Sequence, residues 1–485
     1  MQCSAFQVPP GASSRHDPVC PFVFTPRFPH AALPLLACPL PALAAPQDGG
    51  DELEAMRARI AELEAAQAEN DELTAALFDE LEAMRQAGAS MVQSQGARTT
   101  GGISTLSGPS PGSMTGRLPF NPGQTGFAFG GYGEHHFNFR EGQGGDQSDI
   151  HRLVFFVGYQ FTEDIQLYSE TEIEHGFVSD GNGDLVIEQL YTDFLFEPGF
   201  NLRAGRILAP LGIINQWHEP NTFNGVERPS VEVNIIPTTW SLDGVGAFGR
   251  FGQDSFSWQL YLTGGLDGSG FNGTSGFRGG RIKERPSLND PAITGRLDWF
   301  PLANSDASTQ QSLRVGGSFF HGGVDNGNKG NDPGLDGDVT IFSTDFQYTR
   351  GSWDFRGVGA LASIDNAEGL NTALTPSGGS DPGIADELEG WYLEAAYHLL
   401  PDSWRTGMIE NGDLVAFCRY EDYDTQAKLP FNATPTGAAA RDEITAGFGL
   451  FLTQNFVVKL DYQFKDDETA DGALDQLNFG IGYMF

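Results

Sequence analysis

The chain has 485 residues, among them 63 Gly and 37 Phe, and a formal net charge of -36. So strong an acidic balance argues against a nucleic-acid partner. There is no run of about 18 apolar residues, which excludes a membrane-spanning helix but leaves membrane-spanning strands open.

Residues 1–45 read as a secretory leader with an irregular start. Ala31 to Ala45 is short and apolar and ends in small residues, with Ala42-Leu43-Ala44 as an A-x-A cleavage pattern behind Arg27 and His30. Pro34, Pro39 and Pro41 interrupt the apolar run, and Met1 to Pro26 fits neither a leader nor a domain, so an initiation site downstream of Met1 is expected. Leu35-Leu36-Ala37-Cys38 is a partial lipobox, and Pro39 directly after the cysteine counts against lipidation. With Cys3, Cys20 and Cys38 removed, only Cys418 remains, read as a small apolar strand residue, and no disulfide framework is expected.

Residues 46–88 are expected to form a coiled coil. Leu53, Met56, Ile60, Leu63, Gln67, Asn70, Thr74, Leu77, Leu81 and Met84 recur at alternating spacings of three and four, and Gly88 follows. The polar centre of this seam costs stability but selects register and oligomer state. An amphipathic helix lying on another surface is the alternative. Residues 89–125, rich in Ser, Gly, Thr and Pro, read as a flexible linker.

From residue 126 to 485 the predicted fold is an all-β transmembrane barrel of sixteen antiparallel strands. The predicted strands are 126–140, 150–162, 164–177, 184–197, 200–208, 243–252, 255–264, 292–300, 311–321, 339–350, 352–363, 387–399, 412–423, 441–452, 455–466 and 474–485. Very short connections alternate with long ones, the pattern of turns on one side of an outer membrane and loops on the other. The last strand is the clearest: Leu477, Phe479, Ile481, Tyr483 and Phe485 are apolar, while Gln476, Asn478, Gly480 and Gly482 are polar or small. The terminal Phe485 resembles the C-terminal signature of bacterial outer-membrane barrels. Both ends of the barrel fall on the short-turn side, which would put the coiled coil in the periplasm and the long loops outside.

Period two then assigns faces. Phe256, Trp258, Leu260 and Leu262, and likewise Phe456, Val458, Leu460, Tyr462 and Phe464, should face lipid. The opposite faces bring Glu170, Glu172 and Glu174, Arg296 with Asp298, Arg314, Asp345, Asp354 with Arg356, Arg419 with Glu421, Glu443, and Lys459 with Asp461 into the lumen. Three like charges in a row need basic residues across from them. Arg203 and Arg206 are the candidates, and because they lie on opposite faces, a bulge near Gly205 is expected if both line the pore.

A connection of more than thirty residues, 209–242, is long enough to be functional. Gly205-Arg206, Pro210-Leu211-Gly212, His218-Glu219-Pro220, Glu227-Arg228-Pro229, Ile236-Pro237-Thr238-Thr239-Trp240 and Gly244-Val245-Gly246 stand in and around it. This stretch resembles the phosphate-selective porin O and P family. The resemblance implies a sixteen-stranded trimeric porin for passive diffusion, with the loop folded inward as a constriction and lumen arginines and lysines replacing water around an anion. The constriction candidates are then Arg203, Arg206, His218, Glu219, Glu227, Arg228 and Trp240, with Glu170, Glu172, Glu174, Arg296 and Arg314 on the wall. Residues 89–485 carry 23 basic and 51 acidic groups, which argues against phosphate specificity. An ion pair with a nearby carboxylate is the other role for each arginine, and for Glu227-Arg228 it is the expected one.

No cofactor and no metal site is expected. Asp180 to Asp184 begins like a calcium loop, but Leu185 replaces the required Gly. His218-Glu219 has no second His at helical spacing. No nucleophile elbow, P-loop or Cys pair points to an enzyme, although the scattered catalytic residues of an outer-membrane lipase or protease barrel would leave no motif. The expected partners are outer-membrane lipid, small hydrophilic solutes or ions, and two further copies of the chain. Peptidoglycan joins them under the alternative reading, a structural barrel that tethers the membrane to the cell wall through its coiled coil.

Overall fold

The computed structural model describes residues 57, 59, 61, 126–142, 145–177, 183–303, 311–326, 335–469 and 472–485. The chain divides into two compact units, Met1–Ala87 and Gly88–Phe485. Of the first, Arg57, Arg59 and Ala61 are helical and exposed. The expected leader, most of the segment expected as a coiled coil and the expected linker lie outside the described residues.

The second unit is a closed antiparallel barrel of sixteen strands, each paired with its neighbours in sequence. They are β1 (Gly126–Arg140), β2 (Gln147–Thr162), β3 (Ile165–Glu174), β4 (Leu185–Glu197), β5 (Phe200–Leu208), β6 (Ser241–Phe251), β7 (Phe256–Gly264) and β8 (Pro291–Trp299). There follow β9 (Gln311–Gly323), β10 (Asp338–Arg350), β11 (Trp353–Ile364), β12 (Glu387–His398), β13 (Asp413–Lys428), β14 (Ala440–Thr453), β15 (Phe456–Asp467) and β16 (Gln476–Met484). Two short helices lie in long connections, α1 (Ser230–Asn234) and α2 (Ala367–Leu374).

Closure needs the first and last strands to meet. β16 pairs with β1 from Tyr132↔Met484 to Arg140↔Gln476. Beyond it, the Phe485 and Gly131 backbones exchange hydrogen bonds at 2.9 Å in both directions. A closed barrel has no free edge, so no row of strand N–H and C=O groups is left open to the surroundings, the condition for crossing a bilayer with strands.

The partition of side chains is inverted relative to a water-soluble protein. Leu260, Leu262, Phe342, Leu361, Leu393, Phe448 and Leu460 point outward and are exposed, while Arg296, Asp298, Arg314, Asp345, Arg419, Glu421 and Asp461 point inward and are buried. Aromatic pairs gather beside the short turns, among them Phe251 with Phe256 at 4.9 Å, Trp353 with Tyr397 at 4.7 Å and Tyr159 with Phe161 at 4.8 Å. A second group, including Trp391 with Tyr420 at 5.4 Å, lies nearer the long loops. An apolar band flanked by aromatic residues is the outer surface of a transmembrane barrel.

Three details differ from the sequence expectations. The β5 ladders to β4 and β6 run through Gly205 without a register shift. Without a bulge, Arg206 sits across the ladders from Leu190 and Asp243, pairs with Asp243 at 2.6 Å and lines the lumen cavity. The bulge sits instead in β4, where the β3 register slips between Glu170 and Thr171 and Glu188 and Gln189 both turn inward. β13 runs five residues past its expected end, because Lys428 finds a partner in Glu387 beyond the rim.

Candidate functional site

The connection between β5 and β6, residues 209–240, folds into the lumen. Ala209, Leu211, Ile214, Val231, Ile235 and Ile236 are wholly buried there and share one apolar cluster with the inward aromatics Tyr132, Phe156, Tyr261, Phe320 and Tyr392. Trp240 belongs to this cluster: its ring packs on Phe320 at 4.6 Å, and its backbone N–H donates to the side chain of Asn215. It is a packing residue of the loop root.

The turn that starts the loop is organised by Glu232 of α1. Its carboxylate accepts the N–H groups of Ile213 and Ile214 at 3.0 and 2.6 Å and the Tyr392 hydroxyl at 2.8 Å. Burial pushes this carboxyl up to about 7, against the pull of those donors. Gly212 has φ +61°, and a Cβ there would lie 2.6 Å from the Glu232 carboxylate, so the turn requires glycine.

Further along, the loop hangs from most of the opposite wall. Arg296 of β8 donates to Gly212 O at 2.7 Å, and Arg356 of β11 to Thr222 O at 3.3 Å. Lys459 of β15 donates to Phe223 O and Gly225 O at 2.9 and 2.8 Å, and Asp461 accepts the Val226 N–H at 2.6 Å. Glu421 of β13 accepts the Val231 N–H at 3.0 Å, and Glu443 of β14 the Ser230 hydroxyl at 2.7 Å. These wall charges also neutralise one another. Arg296 and Arg314 each bridge Asp298 and Asp345 at 2.7 to 2.9 Å. Arg356 and Arg419 share Glu394, and Arg419 also binds Glu421. Arg203 is likewise spent: it forms a bidentate pair with Asp193 at 2.6 and 2.7 Å and stacks 3.8 Å over the Tyr191 ring.

The other side of the lumen is different. A cavity of about 670 Å³ opens between the loop, β1–β4 and the β7–β8 connection. Glu134, Arg152, Glu172, Glu174, Glu188, Glu227, Arg228, Arg278 and Arg281 are among its lining residues. The acidic row is answered from β2, where Arg152 reaches Glu172 at 3.1 Å and Glu134 at 3.4 Å; Arg203 and Arg206 on β5 take no part. Glu170 and Glu188 instead meet His218 of the loop, at 3.5 and 3.2 Å. Burial alone would keep His218 neutral; the Glu188 carboxylate outweighs it and lifts the imidazole to about 9. Glu219 is buried next to it, and its carbonyl accepts the Thr222 N–H.

The expected Glu227-Arg228 ion pair does not form. Glu227 turns to β1, where it accepts from Asn138 at 2.9 Å and lies 3.4 Å from His136. Burial would raise this carboxyl, but the His136 contact outweighs it and holds it down at about 2. Nε and Nη2 of Arg228 meet no acceptor among the described residues. Arg278 and Arg281, which sequence reasoning passed over, reach in from the β7–β8 connection. Arg278 donates to Val233 O and Thr238 O at 2.7 and 2.5 Å, and Arg281 to Pro237 O and Thr239 O. Burial and the neighbouring guanidinium groups lower Arg278 to about 9; burial lowers Arg281 to about 10. They lie in a loop with no periodicity, so nothing in the local pattern points at them. His136, Arg152 and Glu188 were predicted on strands, but no signal marked them out.

No family model matches the chain. An uncharacterized protein of Aquifex aeolicus (strain VF5) is 36% identical over 315 residues, covering 63% of this chain and 68% of its own length. The chain belongs to the family of that protein. Among solved structures, OmpF of Salmonella typhi, in complex with daunomycin, is 12% identical and covers 76% of this chain and 100% of its own, with a TM-score of 0.48. The outer-membrane channel DcaP of Acinetobacter baumannii is 15% identical over 74% of this chain and 97% of its own, with a TM-score of 0.46. The anion-selective porin from Comamonas acidovorans is 13% identical over 75% and 100%, with a TM-score of 0.46. Likeness at this level says nothing of solute or selectivity.

Proposed function

We propose that the protein is an outer-membrane porin that lets small hydrophilic solutes or ions diffuse passively through its lumen, with residues 209–242 forming the constriction. The observation that carries this reading is the pairing of an apolar, aromatic-flanked outer surface with a charged interior that holds a polar cavity of about 670 Å³ beside an inward loop. A barrel serving only as an anchor has no need of such a cavity.

We further propose a preference for anions, phosphate among them. The chain as a whole is strongly acidic, yet Arg140, Arg152, Arg206, Arg228, Arg278, Arg281, Lys283 and Lys465 outnumber the carboxylates of Glu134, Asp149, Glu172, Glu174, Glu188 and Glu227 around the cavity. Several guanidinium groups facing one water-filled space lower the cost of stripping water from an anion, which one alone does poorly. The acidic groups on the outer loops act only over about 8–10 Å at physiological salt.

Planar-bilayer recording of the purified protein tests both statements. Discrete conductance steps are expected, with a reversal potential in a potassium chloride gradient whose sign reports anion preference. Absence of current with the loop intact would overturn the porin reading; a cation-selective reversal potential would overturn the anion preference alone.

A further inference from the structure

We propose that Glu170, Glu188 and His218 form a site for a divalent transition-metal cation of the Zn²⁺ class, which fastens the inward loop to the β3–β4 wall.

The three side chains come from three parts of the chain, and all are buried inside the barrel. One ligand atom from each lies within 4.8 Å of the others. His218 Nε2 is 3.5 Å from Glu170 Oε1 and 3.2 Å from Glu188 Oε2. With metal–ligand bonds of about 2.1 Å, the donors of a tetrahedral site stand about 3.4 Å apart. Two of the three donor separations therefore already match one face of such a site, and the third lies within 4.8 Å.

The outer partners also match what a metal ligand needs. His218 Nδ1 faces the carbonyl of Asn215 at 3.2 Å; a carbonyl only accepts, so Nδ1 carries the proton and Nε2 is turned toward the carboxylates. A metal-binding imidazole is oriented by a partner of this kind. The Gln189 side-chain amide donates to Glu170 Oε2, and Oε1 is the oxygen that faces His218. The β4 bulge is what makes this possible: it turns two successive residues, Glu188 as ligand and Gln189 as its neighbour's support, to the same side.

A second observation points the same way. Tyr132 is wholly buried, packs edge-on to the His218 ring at 6.0 Å between centroids, and its hydroxyl has no hydrogen-bond partner among the described residues. That hydroxyl lies in the electrostatic field of Glu188 and Glu170. A buried phenol without a partner beside two carboxylates and an imidazole is a group left available for a ligand or its bound water. Access is open, since Glu188 lines the cavity.

A nitrogen donor beside two oxygens selects Zn²⁺-like ions over Ca²⁺ or Mg²⁺, which take oxygen donors. His218-Glu219 shows no such site in sequence because its partners are long-range, 30 residues from Glu188 and further from Glu170.

The test uses the full purified barrel in detergent with Zn²⁺ and Co²⁺ as probes. After incubation with Zn²⁺ and dialysis, elemental analysis should find about one ion per chain, and Zn²⁺ should raise Tm over an EDTA-treated sample by about 4 °C or more. Co²⁺ should give the visible d–d bands of a low-symmetry, four-coordinate site. H218Q and E188Q should each lower Zn²⁺ affinity at least about tenfold and abolish the Tm difference, with barrel formation checked by the altered electrophoretic mobility of unheated samples. Wild-type protein that retains no stoichiometric Zn²⁺ and melts equally in EDTA and Zn²⁺ would overturn the proposal, whatever the variants do. None of these readouts involves ion current, so they stand apart from the porin reading.

Discussion

The lumen has two sides that handle charge in opposite ways. From β8 to β15 nearly every inward arginine is matched: Arg296 and Arg314 by Asp298 and Asp345, Arg356 and Arg419 by Glu394 and Glu421. On the β1–β4 side Arg228 meets no acceptor at Nε and Nη2 among the described residues, and Arg278 and Arg281 donate to loop carbonyls rather than to carboxylates. Matched buried charges hold geometry and give a passing solute little to bind. Unmatched donors around a cavity cost stability, and such a cost is usual where a binding surface lies. The difference divides the interior into a scaffold that carries the loop and a face that meets the solute.

The strongest way to break this division is to cut the loop from its scaffold. Glu232→Ala removes the acceptor of three buried donors at once and should destabilise the barrel by about 3–5 kcal/mol. Thermal unfolding should show a lowered Tm, and single-channel conductance should rise as the loop root loosens. A smaller effect, about 3 kcal/mol, is expected of Asp345→Ala, which strands Arg296 and Arg314 without one of their carboxylates. Denaturant unfolding measures it, and an unchanged midpoint would mean that the scaffold side is not held by its charges.

Acid should act on the contact between loop and β1. The Glu227 carboxyl is held at about 2, below its ordinary value. Its stabilising contribution is therefore present above about pH 4.5 and is lost as the pH falls through about 2. Hydrogen exchange of amides 223–229 should speed up over that acid range in the wild type and lose this dependence in Glu227→Gln. Arg228→Gln should have the smallest effect on stability, within about 0.5 kcal/mol, because it breaks no hydrogen bond through Nε or Nη2. It should nevertheless shift the reversal potential toward cations. A large loss of Tm with no change in selectivity would move Arg228 to the scaffold.

Much of the barrel was legible because a membrane strand repeats every two residues and the two faces meet opposite solvents. Asp298, Arg314 and Asp345 could be assigned to the lumen from alternation alone, and they lie there. Partners could not be read in the same way. Arg203 was matched with the acidic row of β3, whereas its neighbour across the ladder, Asp193, takes its Nε and Nη2 donors. Arg206 was given a bulge that β4 has instead, since a bulge depends on how two strands share a turn and not on either strand by itself.

Alternation and turn residues thus suffice to specify sixteen antiparallel strands and most of their faces, because these follow from a local repeat and the two media around it. The path of residues 209–240 through the lumen, the choice of Glu232 as the centre of its turn, the entry of Arg278 and Arg281, and the meeting of His218 with Glu170 and Glu188 were decided by tertiary structure. Each depends on which buried polar group finds a partner once water is excluded, and those partners lie up to some 236 residues apart in the chain.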